Sequence, residues 1–254
     1  MRNTNQTAED LEEKALWAAR AGRMDIVDEM IELGARDFES IASEAAIGGR
    51  MDIVDAMIKR GAKNFDEIAI SAAESGHLDI VEVAIGRGAN NLDKIASWAA
   101  DNGYKDIVDQ MIELGARNLD GIASAAAYSG YKSIVDAMIE RGATNYDEIA
   151  ASAAGGGYRN IMNKMIELGA NNFDKIAEDA VITGHRGIVY EMIALGAKNL
   201  VSIAIFAIIY GHSDIASEMV RSGLISIDDL TLALEHSMDK DRVKREVRAL
   251  QNVA

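Results

Sequence analysis

Asn64-Phe65-Asp66-Glu67-Ile68-Ala69-Ile70-Ser71-Ala72-Ala73-Glu74-Ser75-Gly76-His77-Leu78-Asp79-Ile80-Val81-Glu82-Val83-Ala84-Ile85-Gly86-Arg87-Gly88-Ala89 reads as two short helices, each closed by a glycine. Asn64 is a good N-cap, and Asp66 and Glu67 fall in the first turn, where Glu67 is placed to complete a capping-box-like pair. Ile68, Ala69, Ala72 and Ala73 recur at helical spacing and form one apolar face. Gly76 ends this helix, because the left-handed backbone that closes a helix is least strained at glycine. Beyond His77 and Leu78, the residues Ile80, Val81, Ala84 and Ile85 repeat the spacing until Gly88 stops the second helix. The stretch is one helix hairpin.

The same pattern extends in both directions with a period of 27 and no insertion or deletion. Gly22, Gly49, Gly76, Gly103, Gly130, Gly157, Gly184 and Gly211 hold one register, and Ile26, Ile53, Ile80, Ile107, Ile134, Ile161, Ile188 and Ile215 another. A second glycine follows twelve positions after each first, from Gly34 to Gly223. Alanine pairs such as Ala45-Ala46 and Ala99-Ala100 mark where helices approach closely. Met30, Met57, Met111, Met138, Met165, Met192 and Met219 share a second-helix position suited to filling core gaps. A fixed period of this length is the signature of a solenoid whose units touch only their neighbours. Helices of about ten residues are marginal alone in water, so stability has to come from stacking. The fold expected is all-α: an α-solenoid of about nine stacked antiparallel helix hairpins.

A single array over 1–254 is expected, with a half-unit at 1–21, eight repeats over 22–237 and a capping helix over 238–254. The half-unit opens near Thr7, with Leu11, Ala15, Ala18 and Ala19 inward. At the far end Ile227, Leu230 and Leu234 read as a further first helix. Asp239 to Leu250 then reads as a basic-faced cap, with Lys240, Arg242, Lys244, Arg245 and Arg248 outward.

The stretch Ala72-Ala73-Glu74-Ser75-Gly76-His77-Leu78-Asp79-Ile80-Val81, closed by Gly88-Ala89, resembles the centre and end of an ankyrin repeat. Ankyrin repeats typically run to 33 residues, six more than these units, and the difference falls where ankyrins carry a β-hairpin. The Thr-Pro-Leu-His opening is absent, and the chain contains no proline. It is similar to the shortened, hairpin-less ankyrin-like repeats of large DNA viruses. The resemblance implies a protein-binding scaffold with first helices along the concave face, and a cytoplasmic location, in the host if viral.

Composition narrows the partners. Forty-one acids against twenty-six Lys and Arg give a net charge of -15, which opposes binding to a nucleic-acid backbone. Much of this acid is structural: Asp25, Asp52, Asp79, Asp106 and Asp214 share one register and Asp66, Asp93, Asp120, Asp147, Asp174 and Asp228 another, both at helix beginnings where carboxylates complement the dipole. No apolar run approaches the ~18–20 residues of a membrane span, and no early stretch reads as a signal peptide. Zero cysteines remove thiolate metal sites and thiol nucleophiles. His77, His185 and His212 occupy one turn position in separate repeats and cannot converge. No Gly-x-Ser-x-Gly, Walker loop or His-Glu-x-x-His occurs. The chain reads as non-catalytic, without a cofactor or metal.

Function is expected where the repeats differ. Three first-helix registers vary: Ser43, Ile70, Ser97, Ser124, Ala151, Glu178, Ile205; Glu44, Ser71, Trp98, Ala125, Ser152, Asp179, Phe206; and Ile47, Glu74, Asp101, Tyr128, Gly155, Ile182, Ile209. Within them Glu44, Ile70, Trp98, Asp101, Tyr128, Glu178, Asp179, Ile205, Phe206 and Ile209 are the candidate partner-binding residues. Trp98 and Tyr128 are the anchors, since interface hot spots favour Trp and Tyr. An acidic surround suits a basic or amphipathic protein segment or peptide. The seventh unit, with Val201, Ile203, Ile205, Phe206, Ile208, Ile209 and Tyr210, is apolar all round. It supplies the alternative function, a structural protein that self-assembles as a homo-oligomer through this face.

Overall fold

The computed structural model describes residues 7–234, and every one of their regular elements is a helix. The chain divides between Asn118 and Leu119 into two compact units. The first contains the hairpins α1 (Ala8–Ala21) with α2 (Met24–Leu33), α3 (Phe38–Ile47) with α4 (Met51–Arg60), α5 (Phe65–Ser75) with α6 (Leu78–Arg87), and α7 (Leu92–Asp101) with α8 (Lys105–Leu114). The second contains α9 (Leu119–Tyr128) with α10 (Lys132–Glu140), α11 (Tyr146–Gly155) with α12 (Arg159–Glu167), α13 (Phe173–Ile182) with α14 (Arg186–Leu195), α15 (Leu200–Ile209) with α16 (Ser213–Arg221), and α17 (Ile227–Leu234). Within each unit a first helix packs on its own second helix and on the first helices before and after it. Each unit is therefore a stack of hairpins. The capping helix expected over 238–254 lies outside the described residues.

The core follows the period. Both members of the alanine pairs, the second-helix isoleucines from Ile53 to Ile215 and the methionine register are buried, while Ile26 in α2 is half-buried. The methionines are therefore packing residues within the stack. The first unit opens with a full capping box: Thr7 Oγ1 accepts from Asp10 N at 3.1 Å, and Asp10 Oδ2 accepts from Thr7 N at 2.9 Å.

The first-turn acids do more than complement their own helix. Asp66 Oδ1 accepts the backbone N–H groups of Asn90 and Asn91, at 2.8 and 2.9 Å, in the turn that precedes the next first helix. Asp93 does the same for Arg117 and Asn118. Asp120 serves Thr144 and Asn145, Asp147 serves Asn171 and Asn172, and Asp174 serves Lys198 and Asn199. Glu12 and Glu39 make the equivalent bonds to Arg36 with Asp37 and to Lys63 with Asn64. Seven half-buried carboxylates thus form rungs between consecutive repeats. This corrects the capping box expected at Asn64. Asn64 Oδ1 does accept from Glu67 N at 3.2 Å, but the N–H of Asn64 is held by Glu39 of the preceding repeat.

The rungs stop at Val201, which occupies the acid register in α15 and has no oxygen to offer. The turn it would have served is closed locally: Ser226 N and Oγ donate to Asp229 Oδ2, and Asp229 N donates to Ser226 Oγ.

A second column runs through the helix–helix turns. Gly76 has φ +82°, and a Cβ there would lie 2.3 Å from Cε1 of Tyr104, whose ring lies against the glycine. His77 and His212 occupy the same place as Tyr104 and set Nε2 3.2 and 3.3 Å from the carbonyl oxygens of Ile47 and Ile182. His77 and His212 are thus turn-packing residues that meet the last carbonyls of the preceding first helix.

Asp147→Ala should remove one rung and cost about 1–3 kcal/mol, the usual contribution of hydrogen bonds to a charged acceptor. In hydrogen exchange the amides of Asn171 and Asn172 should lose protection first, while those of α1 to α6 stay unchanged, as expected of a one-dimensional stack.

Candidate protein-binding face

The variable registers lie on the first helices, whose opposite face is fixed into the stack by the alanine pairs. Trp98, in the first unit, is 39% exposed, and Tyr128, in the second, is 52% exposed. Tyr128 lies across Gly155 of the next first helix, within ordinary contact of where a side chain there would begin. The neighbouring Gly156 approaches the Tyr128 carbonyl so closely that any Cβ would stand 1.9 Å from its oxygen. Close passage of one turn over another thus accounts for Gly156, and the positive φ of Gly157 with the His185 ring against it accounts for Gly157.

Ile70 has to be withdrawn from the candidate set. It is 6% exposed and belongs to the core. Its register neighbours on either side are Ser43 and Ser97, whose short side chains leave an isoleucine room to lie against the stack. Glu44 is half-buried, with Oε2 3.7 Å from Nη1 of Arg20. Asp101 is half-buried at the end of α7. Glu178 accepts from Ser202 Oγ at 3.0 Å, one repeat on, and Asp179 accepts from Lys175 Nζ at 3.0 Å.

The seventh unit is less exposed than its composition implies. Ile203 and Ile208 are fully buried, while Ile205, Phe206 and Ile209 are half-buried. Phe206 packs on Tyr210 in a tilted ring pair with centroids 6.3 Å apart, and Tyr210 itself is 49% exposed.

Sequence reasoning overlooked Trp17. It is 64% exposed on α1 and lies 27 residues before Glu44, in the register of Trp98. Extending the period backwards past Gly22 would have found it, with Leu16 and Arg20 in the two companion registers. In the first unit a groove of about 390 Å³ crosses α1, α3 and α5, lined by Leu16, Ser43, Glu44, Ile47, Ser71 and Glu74 among others. Among the described residues no cluster of three or more His, Asp or Glu side chains has the arrangement to hold a metal ion. No described helix is long and apolar enough to cross a membrane.

The class defined by this arrangement is an all-α solenoid of stacked helix hairpins. Among solved structures 140 chains match it. One is the crystal structure of the human ASB11 ankyrin repeat domain, to which this chain is similar with a TM-score of 0.47 and 17% identity over 62% of this chain and 84% of that one. No family model matches the chain, and no curated protein does.

Lys175 is one group through which pH acts on the second unit. Partial burial pulls its ammonium pKa down, but the hydrogen bond to Asp179 and the charges of Asp179, Glu148 and Glu178 outweigh this and hold it above 10.5. A raised lysine pKa stabilises the fold fully below the ordinary value and loses that contribution as pH rises through the folded value. Lys175→Met should therefore flatten the fall in stability above about pH 10.5, measured by denaturant unfolding at a series of pH values.

Proposed function

We propose that this chain is a non-catalytic scaffold of ankyrin-like type that binds a protein or peptide on its first-helix face. The observation that carries the reading is the division of labour within the repeat. The registers that stack are nearly constant, whereas the three first-helix registers that face away from the alanine pairs vary and hold Trp17, Trp98 and Tyr128 in exposed positions. Exposed aromatic side chains in a polar surround are the usual anchors of protein interfaces. Net charge of -15 favours a basic or amphipathic segment over a nucleic acid. The 27-residue repeat resembles the shortened repeats of ankyrin-like proteins of large DNA viruses, and a cytoplasmic site of action, in the host if the chain is viral, goes with that reading.

Immobilised chain should capture a partner from lysate that the Trp98→Ala/Tyr128→Ala variant retains at least tenfold less, as hot-spot residues require. A control pair on the second helices, Glu113→Ala/Glu140→Ala, should capture as well as the parent. Equal capture by all three would remove the first-helix face from the proposal.

A second reading, self-assembly through the seventh unit, is favoured by the half-buried Ile205, Phe206 and Ile209 beside exposed Tyr210. Apolar patches of this kind often mark contact sites. Phe206→Ser/Ile209→Ser should leave helical content intact and lower the light-scattering mass if the chain self-associates. Unchanged mass with a lower melting temperature would assign these residues to the core.

A further inference from the structure

The two tryptophans of the chain, Trp17 and Trp98, occupy one register of the first unit, three repeats apart. Both are exposed, and the first helices between them pack in sequence, α1 on α3, α3 on α5 and α5 on α7. Neighbouring helix axes lie ~8–10 Å apart, so the two indoles are separated by about 24–30 Å along one face. Glu44 and Ser71, which hold this register on the two helices between them, line the groove across α1, α3 and α5, together with the apolar Leu16 and Ile47 and the acids Glu67 and Glu74; the indoles flank the groove and are not part of its lining. No lysine or arginine lines it. Arg20 stands at its edge, 3.7 Å from Glu44. A second hollow, beside Trp17, is lined by Asp10, Glu13 and Lys14.

Resting on the scaffold reading above, we infer that this groove takes an extended, arginine-rich segment of about nine residues, with a cationic side chain on each tryptophan. The span fixes the length, since a strand advances ~3.3 Å per residue and about nine residues cover it. The chemistry at the ends follows from the indole ring, the best aromatic face for a guanidinium, and carboxylates between them select cations over the whole length. A helix covers the same distance only with about twenty residues.

The tryptophans are also the reporters, because the chain has no others. The probe is a blocked nonapeptide of alternating arginine and glycine, with a blocked pentapeptide of the same pattern and a glutamate–glycine nonapeptide for comparison. The arginine nonapeptide should change tryptophan emission saturably, and added salt should weaken it. Trp17→Phe and Trp98→Phe, each leaving one reporter, should both still respond. Labelled at one end and followed by anisotropy, the nonapeptide should bind Trp17→Ala and Trp98→Ala each about 3–10-fold more weakly than the parent, the range of a cation–π contact. Tyr128→Ala should bind it as well as the parent. The pentapeptide should bind weakly and lose affinity in only one tryptophan variant at a time, since it spans about half the distance. The proposal is overturned if emission does not move, if the tryptophan variants bind like the parent, or if the glutamate peptide binds equally. None of these results touches partner capture through Trp98 and Tyr128, so the groove assignment can fail while the scaffold reading stands.

Discussion

A single carboxylate oxygen that collects two backbone N–H groups from the next repeat is the interaction on which the rest of the structure depends. Asp147 Oδ1 shows it well, at 2.7 and 2.8 Å from the nitrogens of Asn171 and Asn172. These N–H groups precede a helix, so the carboxylate also faces the positive end of that helix's dipole. Charge-assisted bonds of this kind are stronger than neutral ones. They act where they are most needed, because helices of nine to eleven residues have little stability of their own. Each rung orients the entry of one hairpin relative to its predecessor, after which the alanine and isoleucine registers can close.

This arrangement changes how the acidity of the chain is understood. A net charge of -15 invites a search for acidic ligand sites. Seven of the acids are rungs, and Asp25, Asp52, Asp79, Asp106 and Asp214 stand in the first turns of second helices that have no side-chain cap. Further acids pair across repeats on the second helices, such as Asp28 with Arg60 and Asp136 with Lys164. Charge therefore distinguishes a binding face only where these structural roles have been subtracted, as at Glu67 and Glu74.

The helices, their glycine ends and the methionine core were legible in the sequence because each depends on neighbours three or four residues away. The rungs were not, because a first-turn aspartate looks the same whether it serves its own helix or a turn 24 residues on. Asp66 illustrates this, since its local role and its partner at Asn90 come from the same position. Ile70 failed as a candidate because variability in a register does not imply exposure; its serine neighbours gave it room to sink. Trp17 was missed because the period was started at its first glycine, although the register already ran through α1. Val201 was visible as an anomaly in hydropathy, but its structural meaning, a missing acceptor, appears only once the function of its register is known.

The rungs also bear on how such a chain can change in length. Each joins a residue to partners 24 and 25 positions later, and Gly49, Gly76, Gly130, Gly157 and Gly184 each lie against a ring one repeat away. One residue added between α5 and α7 would move Asn90 out of reach of Asp66 and carry Tyr104 off Gly76 together. Growth or loss by a complete block of 27 preserves both columns at once. The array is therefore digital: duplication and deletion of entire repeats are tolerated, while the small loop insertions common in other folds are excluded, and variation is confined to substitutions on the first-helix face and to the number of repeats.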